Sequence, residues 1–193
     1  MKSSSDQELV KLLARGDHRA FETVYSRCHL PLFRFAMHMS ASHEIADEIT
    51  QETFLFLLRK PGAYAAEKGT LVSFLMGVAR NLIRRNRRDT SPDLPLEDDG
   101  VEERITESAS PDSPLDHAIR RQSAAALQAA LLQVPEAYRE VMVLCDLQEM
   151  SYAEAAAILS IPLGTVRSRL HRGHLALLDQ LSRVTAQKSG VKL

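Results

Sequence analysis

The sequence predicts an all-α protein made of two small helical domains joined by an acidic flexible linker, the C-terminal domain containing a helix-turn-helix. Three observations predict this. Apolar residues recur at helical spacing in both halves, with no strand alternation. Helix caps stand at the starts of those periodic stretches. A proline-bearing acidic strip divides the chain in the middle, and such a segment buries too little apolar surface to offset its ordering entropy.

Ser5-x-x-Glu8 forms a capping box that opens a first helix, which stops at Gly16. Asp17 caps a second helix, which runs through Ala20, Phe21, Val24 and Tyr25 and on past Pro31. A third helix is expected from His43 to about Arg59 and a fourth from Thr70 to Arg88. Beyond the strip, helices are expected over Leu115–Val134, Pro135–Leu147, Ser151–Leu159 and Leu163–Leu181. Pro135 suits a first helical turn, and Ser151-x-x-Glu154 is a second capping box. The domains are therefore drawn as 1–88 and 119–193, with 89–118 as the linker.

The 193 residues carry a net charge of −1, but that average conceals segregation. Residues 1–88 hold 14 Lys/Arg against 9 Asp/Glu, residues 89–118 hold 1 against 10, and residues 119–193 hold 9 against 6. Two basic blocks flanking an acidic strip suggest work on nucleic acid. No apolar run approaches the ~20 residues that span a bilayer, and the N-terminus lacks the apolar stretch of a secretory signal. A soluble, cytoplasmic protein without membrane insertion is expected. Cys28 and Cys145 form neither a disulfide framework nor a metal site and read as small apolar residues. His38 and His43 suit solvated or capping roles better than metal ligation, so no metal and no cofactor are expected. There is no glycine-rich phosphate loop, no His-Glu-x-x-His and no nucleophile with a recognisable base. These absences argue against an enzyme and against a small-molecule substrate.

The stretch from Ser151 to Gly173 is the most informative. An alanine-rich capped helix leads through a tight turn at Ser160-Ile161-Pro162 into a longer helix. Alanines 155–157 allow the close helix crossing of a helix-turn-helix. Val166, Leu170, Leu177 and Leu181 share one face of the second helix. Thr165, Arg167, Ser168, His171 and Arg172 spread over the other side, suited to base edges and phosphates. Arg169 lies nearer the core edge and suits a phosphate or structural role. The competing reading is an amphipathic hairpin with a solvated basic face.

In the N-terminal block, Leu71, Phe74, Leu75, Val78 and Leu82 form one face of the fourth helix. Arg80, Arg84 and Arg87 lie opposite, flanked by Asn81, Arg85 and Arg88. Five arginines within residues 80–88 exceed what a helix C-terminus needs, so phosphate binding is expected beside the alternative of a solvated end. Apolar residues encircle the second half of the third helix, while Glu48, Gln51 and Glu52 share one side. Such a helix is either buried in the core or covered by a partner.

Taken together, these residues resemble bacterial sigma factors of the extracytoplasmic-function (ECF) group. Pro135-Glu-Ala-Tyr-Arg-Glu-Val-Met-Val-Leu, Ser151-Tyr-Ala-Glu-Ala-Ala and Gly164-Thr-Val-Arg-Ser-Arg-Leu-His-Arg-Gly are similar to that group's region 4. Ala46-Asp-Glu-Ile-Thr-Gln-Glu-Thr-Phe-Leu and Val78-Ala-Arg-Asn-Leu are similar to its region 2. The resemblance implies binding to core RNA polymerase and promoter DNA, assistance in promoter opening, and control by an anti-sigma factor. It implies that Thr165, Arg167, Ser168, Arg169, His171 and Arg172 read the −35 element as duplex. It also implies that Arg80, Asn81, Arg84, Arg87 and Arg88 meet the −10 element as single strand, with Tyr64 stacking at a flipped-base pocket in the loop 61–69. Glu48, Gln51, Glu52 and the adjoining Leu55 would meet the polymerase clamp helices. Phe74 stands where tryptophan is usual, Gly77 where a polar residue is usual, and Glu149 and Ser160 where glycine is frequent.

Thirty linker residues average roughly 30 Å end to end as a coil and reach about 100 Å extended. Elements one and a half duplex turns apart lie about 50 Å from each other, so the linker must be held stretched. An acidic strand carrying Asp93, Glu97, Asp98, Asp99, Glu102 and Glu103 would suit a groove built for RNA, the alternative being a solubilising spacer. The alternative function is a helix-turn-helix transcriptional regulator with an N-terminal helical sensor or dimerisation domain. That protein would bind duplex tightly by itself at a palindromic site.

Overall fold

The computed structural model describes residues 5–89 and 114–189, with side chains over 5–87 and 124–183. Among them all regular structure is helical and there is no strand. The linker carboxylates fall outside the described residues.

Four helices form the N-terminal domain: α1 (Asp6–Leu13), α2 (His18–Ser40), α3 (His43–Arg59) and α4 (Leu71–Asp89). The first three starts have local causes. Ser5 and Glu8 form the reciprocal capping box of α1, and Asp17 accepts from the amides of Arg19 and Ala20 to open α2. Ala41 ends α2 in the left-handed region (φ 56°), and Ser42 caps α3. Pro31 lies inside α2, as its sequence predicts. The core is built from Leu9, Val24, Leu32, Phe35, Leu57 and Leu75. Burial of each large side chain contributes about 1.5–3 kcal/mol relative to exposure.

Asp6 does a second job. Its Oδ2 accepts from the Leu71 amide at 2.8 Å, so α1 supplies a cap to α4 from 65 residues away. Thr70 Oγ1 accepts from the Ser73 amide. These two contacts set where α4 begins, and hence where the loop before it sits.

The C-terminal domain comprises α5 (Pro114–Gln133), α6 (Glu136–Met142), α7 (Tyr152–Leu159) and α8 (Leu163–Ser189). The helix expected over Pro135–Leu147 proves shorter. Pro135 is its N-cap, and residues Val143–Leu147 form a wider π turn after Met142. The α7 capping box forms as its spacing requires. Glu149 and Ser160 both adopt φ 54°, the conformation for which glycine is the low-cost residue. At Gly173 α8 packs tightly on α6: a Cβ there would stand 2.5 Å from Met142 Sδ.

Candidate nucleic-acid interface

The helix-turn-helix is α7, a turn at Ser160–Pro162, and α8. Val166 is fully buried, and Leu170 and Gly173 are buried with it, so one side of α8 is fixed against α5–α7. Arg167, Ser168, His171 and Arg172 are exposed on the remaining surface, while Thr165 and Arg169 are half-buried. His174 Nε2 meets Asp146 Oδ2 at 2.7 Å, tying the same helix to the π turn. The outcome is a rigid helix presenting hydroxyl, imidazole and guanidinium groups to solvent, the set a duplex reader needs.

A second site lies between α4 and the loop before it, which contains two 3-10 turns, Pro61–Ala63 and Ala66–Lys68. Phe56, Phe74, Val78 and Asn81, with the loop backbone around Lys68 and Gly69, enclose about 410 Å³. Phe74 is the wall of this cavity. Its ring is 5.7 Å from the Tyr64 ring, edge to face, and 6.4 Å from that of Phe56. Tyr64 backs the wall and does not line the cavity; its hydroxyl donates to the Gly69 carbonyl at 3.1 Å. Burial, then Asp6 and Glu67, raise its phenol above the usual range. Phe74 is therefore the ring that lines the cavity, with Tyr64 packed behind it.

The apolar face of α4 also differs from expectation. Leu71, Leu75, Met76, Ala79 and Ile83 are buried, whereas Phe74, Val78 and Leu82 are only half-buried. The core takes a stripe rotated by about one residue, which frees Phe74 and Val78 to line the cavity. Arg84 and Arg87 are exposed as expected, but Arg80 is not: its side chain is only 14% exposed and meets Glu140.

A third feature is a groove of about 290 Å³ between α2 and α3, lined by Phe21, Tyr25, His29, Gln51, Phe54, Leu55 and Leu58. Leu55 and Leu58 are 38% and 43% exposed, so α3 is not a wholly buried core helix. Glu48 and Gln51 are exposed beside them, and Glu52 is half-buried. Apolar side chains left open next to polar ones form the kind of patch that suits a partner.

The chain matches the family model for Sigma-70 region 2 over residues 24–92 and that for Sigma-70, region 4 over residues 124–177. It is 31% identical over 175 residues to the ECF RNA polymerase sigma factor SigM of Mycobacterium tuberculosis, covering 90% of this chain and 83% of that protein. The chain belongs to the ECF sigma factors. It is also 36% identical to the ECF RNA polymerase sigma factor SigE of Mycolicibacterium smegmatis over 162 residues, 81% of this chain and 59% of that relative's length. Among solved structures, its fold is similar to that of CnrH in complex with the cytosolic domain of CnrY. The TM-score is 0.69 at 21% identity, with 93% of this chain and 99% of that chain covered. The sigma factor RpoE in complex with the anti-sigma factor NepR from Bartonella quintana gives 0.67 at 21% identity, covering 85% and 98%.

As a sigma factor the protein directs core RNA polymerase to promoters, and the reading as a regulator with a sensor domain is not favoured, because both halves match sigma regions. Several features of the ECF factor escape its sequence pattern. Alanines 155–157 do not all serve the helix crossing: Ala155 is buried there, while Ala157 is exposed and borders the cavity under α4. Arg139 is 4% exposed with its Nε unpartnered, and burial followed by Arg87 lowers its pKa. Nothing in a helical periodicity marks either. His38 Nδ1 meets Gln128 Oε1 of α5 at 2.7 Å, a half-buried contact in place of the solvated or capping role expected, while exposed His43 pairs with Asp47. Cys28 is a buried thiol with its pKa pushed up by burial to about 12, and half-buried Cys145 is pushed to about 11. Among the described residues no cluster of side chains could hold a metal ion, and no helix is long and apolar enough to cross a membrane.

Proposed function

We propose that the protein divides promoter recognition between its two halves and itself catalyses no reaction. The domain 119–193 reads the −35 element as duplex through Thr165, Arg167, Ser168, Arg169, His171 and Arg172. The domain 1–88 captures the −10 element as single strand, with Arg80, Asn81, Arg84, Arg87 and Arg88 on its phosphates and edges. Phe74, backed by Tyr64, forms the platform for a flipped base. The groove between α2 and α3, with Glu48, Gln51, Glu52 and Leu55 along it, takes the clamp helices of core polymerase. The linker 89–118 runs extended through the enzyme, its carboxylates standing in for RNA phosphates.

One observation carries this reading. A solvent-facing basic helix and a base-sized aromatic cavity beside an arginine stripe belong to different halves of one chain, so two DNA structures are engaged separately. An anti-sigma factor would act by covering the α2–α3 groove. A related fold has been solved with an anti-sigma factor, and the open apolar side chains supply the surface for one. The site of action is the cytoplasm, where the polymerase works. Footprinting of the polymerase–promoter complex tests the division. Backbone protection at the −35 element should depend on Arg167 and Arg172, and permanganate-reactive thymines at −10 should depend on Phe74. Loss of both signals together from either substitution would contradict it.

A further inference from the structure

Helix α4 carries a glycine in its interior, Gly77, for which neither backbone nor packing gives a reason. Glycine is the least favourable helix residue after proline. It earns its place where φ is positive or where another group approaches the backbone closely. Gly77 meets neither condition: its φ is not positive, and a Cβ there would find nothing within 4 Å. Gly173 in α8 makes the contrast, because Met142 stands against it. What Gly77 does border is the cavity walled by Phe74. Phe74, Gly77 and Asn81 are three and then four residues apart, so they follow one line along α4. All three line the cavity, together with Phe56, Lys68 and Gly69. All of these residues belong to the N-terminal domain. A side chain at position 77 would project into the open space between the Phe74 ring and the Asn81 amide.

We propose that Gly77 is a specificity-determining position of the −10 site: by leaving that space empty it lets the cavity take adenine in preference to a pyrimidine. This inference rests on the proposed capture of a flipped base at Phe74. A base stacked on Phe74 reaches Asn81 only across the turn that carries residue 77, and a side chain there would stand in its way.

The chemistry divides between the ring and the amide. Stacking on Phe74 holds any base, since every base has a π-face. Choice comes from the exposed Asn81 at the far end of the line. Adenine presents an N6 donor beside its N7 acceptor, a pair that an asparagine amide matches with two hydrogen bonds. Guanine presents two acceptors on the same edge, and a pyrimidine has no second ring to carry N7. The empty turn at Gly77 therefore supplies the room for two rings, and Asn81 reads which two-ring base has entered.

The test uses the full chain assembled with core polymerase and a pool of duplexes that carry an unpaired segment of random sequence. Bound molecules are sequenced, and thermal melts of each chain are recorded alongside. The wild type should enrich adenine at one unpaired position. Gly77→Gln fills the space and should lower that enrichment by about tenfold, the discrimination that a bidentate pair supplies. Preferences at the other positions should stay as they are, and Gly77→Ala should fall between. Both variants should melt at or above the wild-type temperature, because a good helix former replaces glycine in open space. A glycine kept for structure alone would instead give lower melting and an unselective loss. Equal adenine enrichment in all three chains, or a lower melting temperature for Gly77→Ala, would overturn the role of Gly77 and leave the −10 assignment standing. A pyrimidine enriched at the position that Gly77→Gln disturbs would overturn the choice of adenine. Adenine enrichment that survives Phe74→Ala, or no preference at any unpaired position in the wild type, would overturn the −10 assignment, and this inference with it.

Discussion

The two surfaces proposed to meet DNA are built differently. The α8 face needs only one helix held still: Val166, Leu170 and Gly173 fix one side, and Arg167, Ser168, His171 and Arg172 stand in solvent on the other. The α4 site is composite, assembled from α3, the loop 61–69, α4 and, on its outer side, α7 of the other domain. A duplex presents its grooves ready-made, so a rigid helix suffices to read it. A single strand must be bent around and its base held in a cavity, which takes several elements and leaves apolar surface to be covered when no strand is there.

Substitutions should separate the two surfaces from each other and from the polymerase groove. The largest effect is expected from Leu55→Asp with Leu58→Asp, which places charge in the α2–α3 groove. Core polymerase affinity should fall by about 3 kcal/mol, roughly a hundredfold, in a titration with labelled chain. Both DNA-facing surfaces should keep their fold. Arg167→Ala should next cost about 2 kcal/mol of −35 recognition, read as lost discrimination between promoter and altered −35 sequence. Single-strand capture should be unaffected. Gly173→Val pushes a branched side chain into Met142 and should destabilise the C-terminal domain by about 1.5 kcal/mol in a denaturant melt.

The smallest effect concerns α7, the one element that borders both surfaces. Ser151→Ala removes its cap and should cost about 1 kcal/mol. Ser151 also hydrogen-bonds the Glu154 carboxylate through its hydroxyl and then its amide, which together with Ser73 hold that carboxyl below its usual range. A carboxyl lowered in the folded state stabilises fully above its ordinary titration range, and the contribution disappears as pH falls through the lowered value. Thermal melts from neutral to acid pH should show this loss in the wild type and a flatter profile in Ser151→Ala.

Much of the fold was legible because helix starts are local. Ser5, Asp17 and Ser151 each announce a helix within four residues, and each caps as its spacing requires. The α8 face was legible for the same reason, since its buried and exposed positions alternate along a single helix. The α4 site was less so. Leu71, Val72, Phe74, Leu75, Met76, Val78 and Ala79 are apolar on two adjacent stripes, and periodicity alone cannot say which one the core takes. The cap from Asp6, the ion pair of Arg80 with Glu140 and the turning of Ala157 toward the cavity join residues 60 or more apart. Local pattern carries no signal for such pairs. The family resemblance pointed to the loop 61–69, but which of Tyr64 and Phe74 lines the cavity depends on the path of that loop.

The central claim is that this chain gives core polymerase its choice of start sites. Run-off transcription with purified core polymerase on a fragmented genomic library, with and without the chain, tests it most directly. Added chain should produce discrete new transcripts, and Arg167→Ala should weaken them selectively. Transcripts identical in number and position with and without the chain would contradict the account.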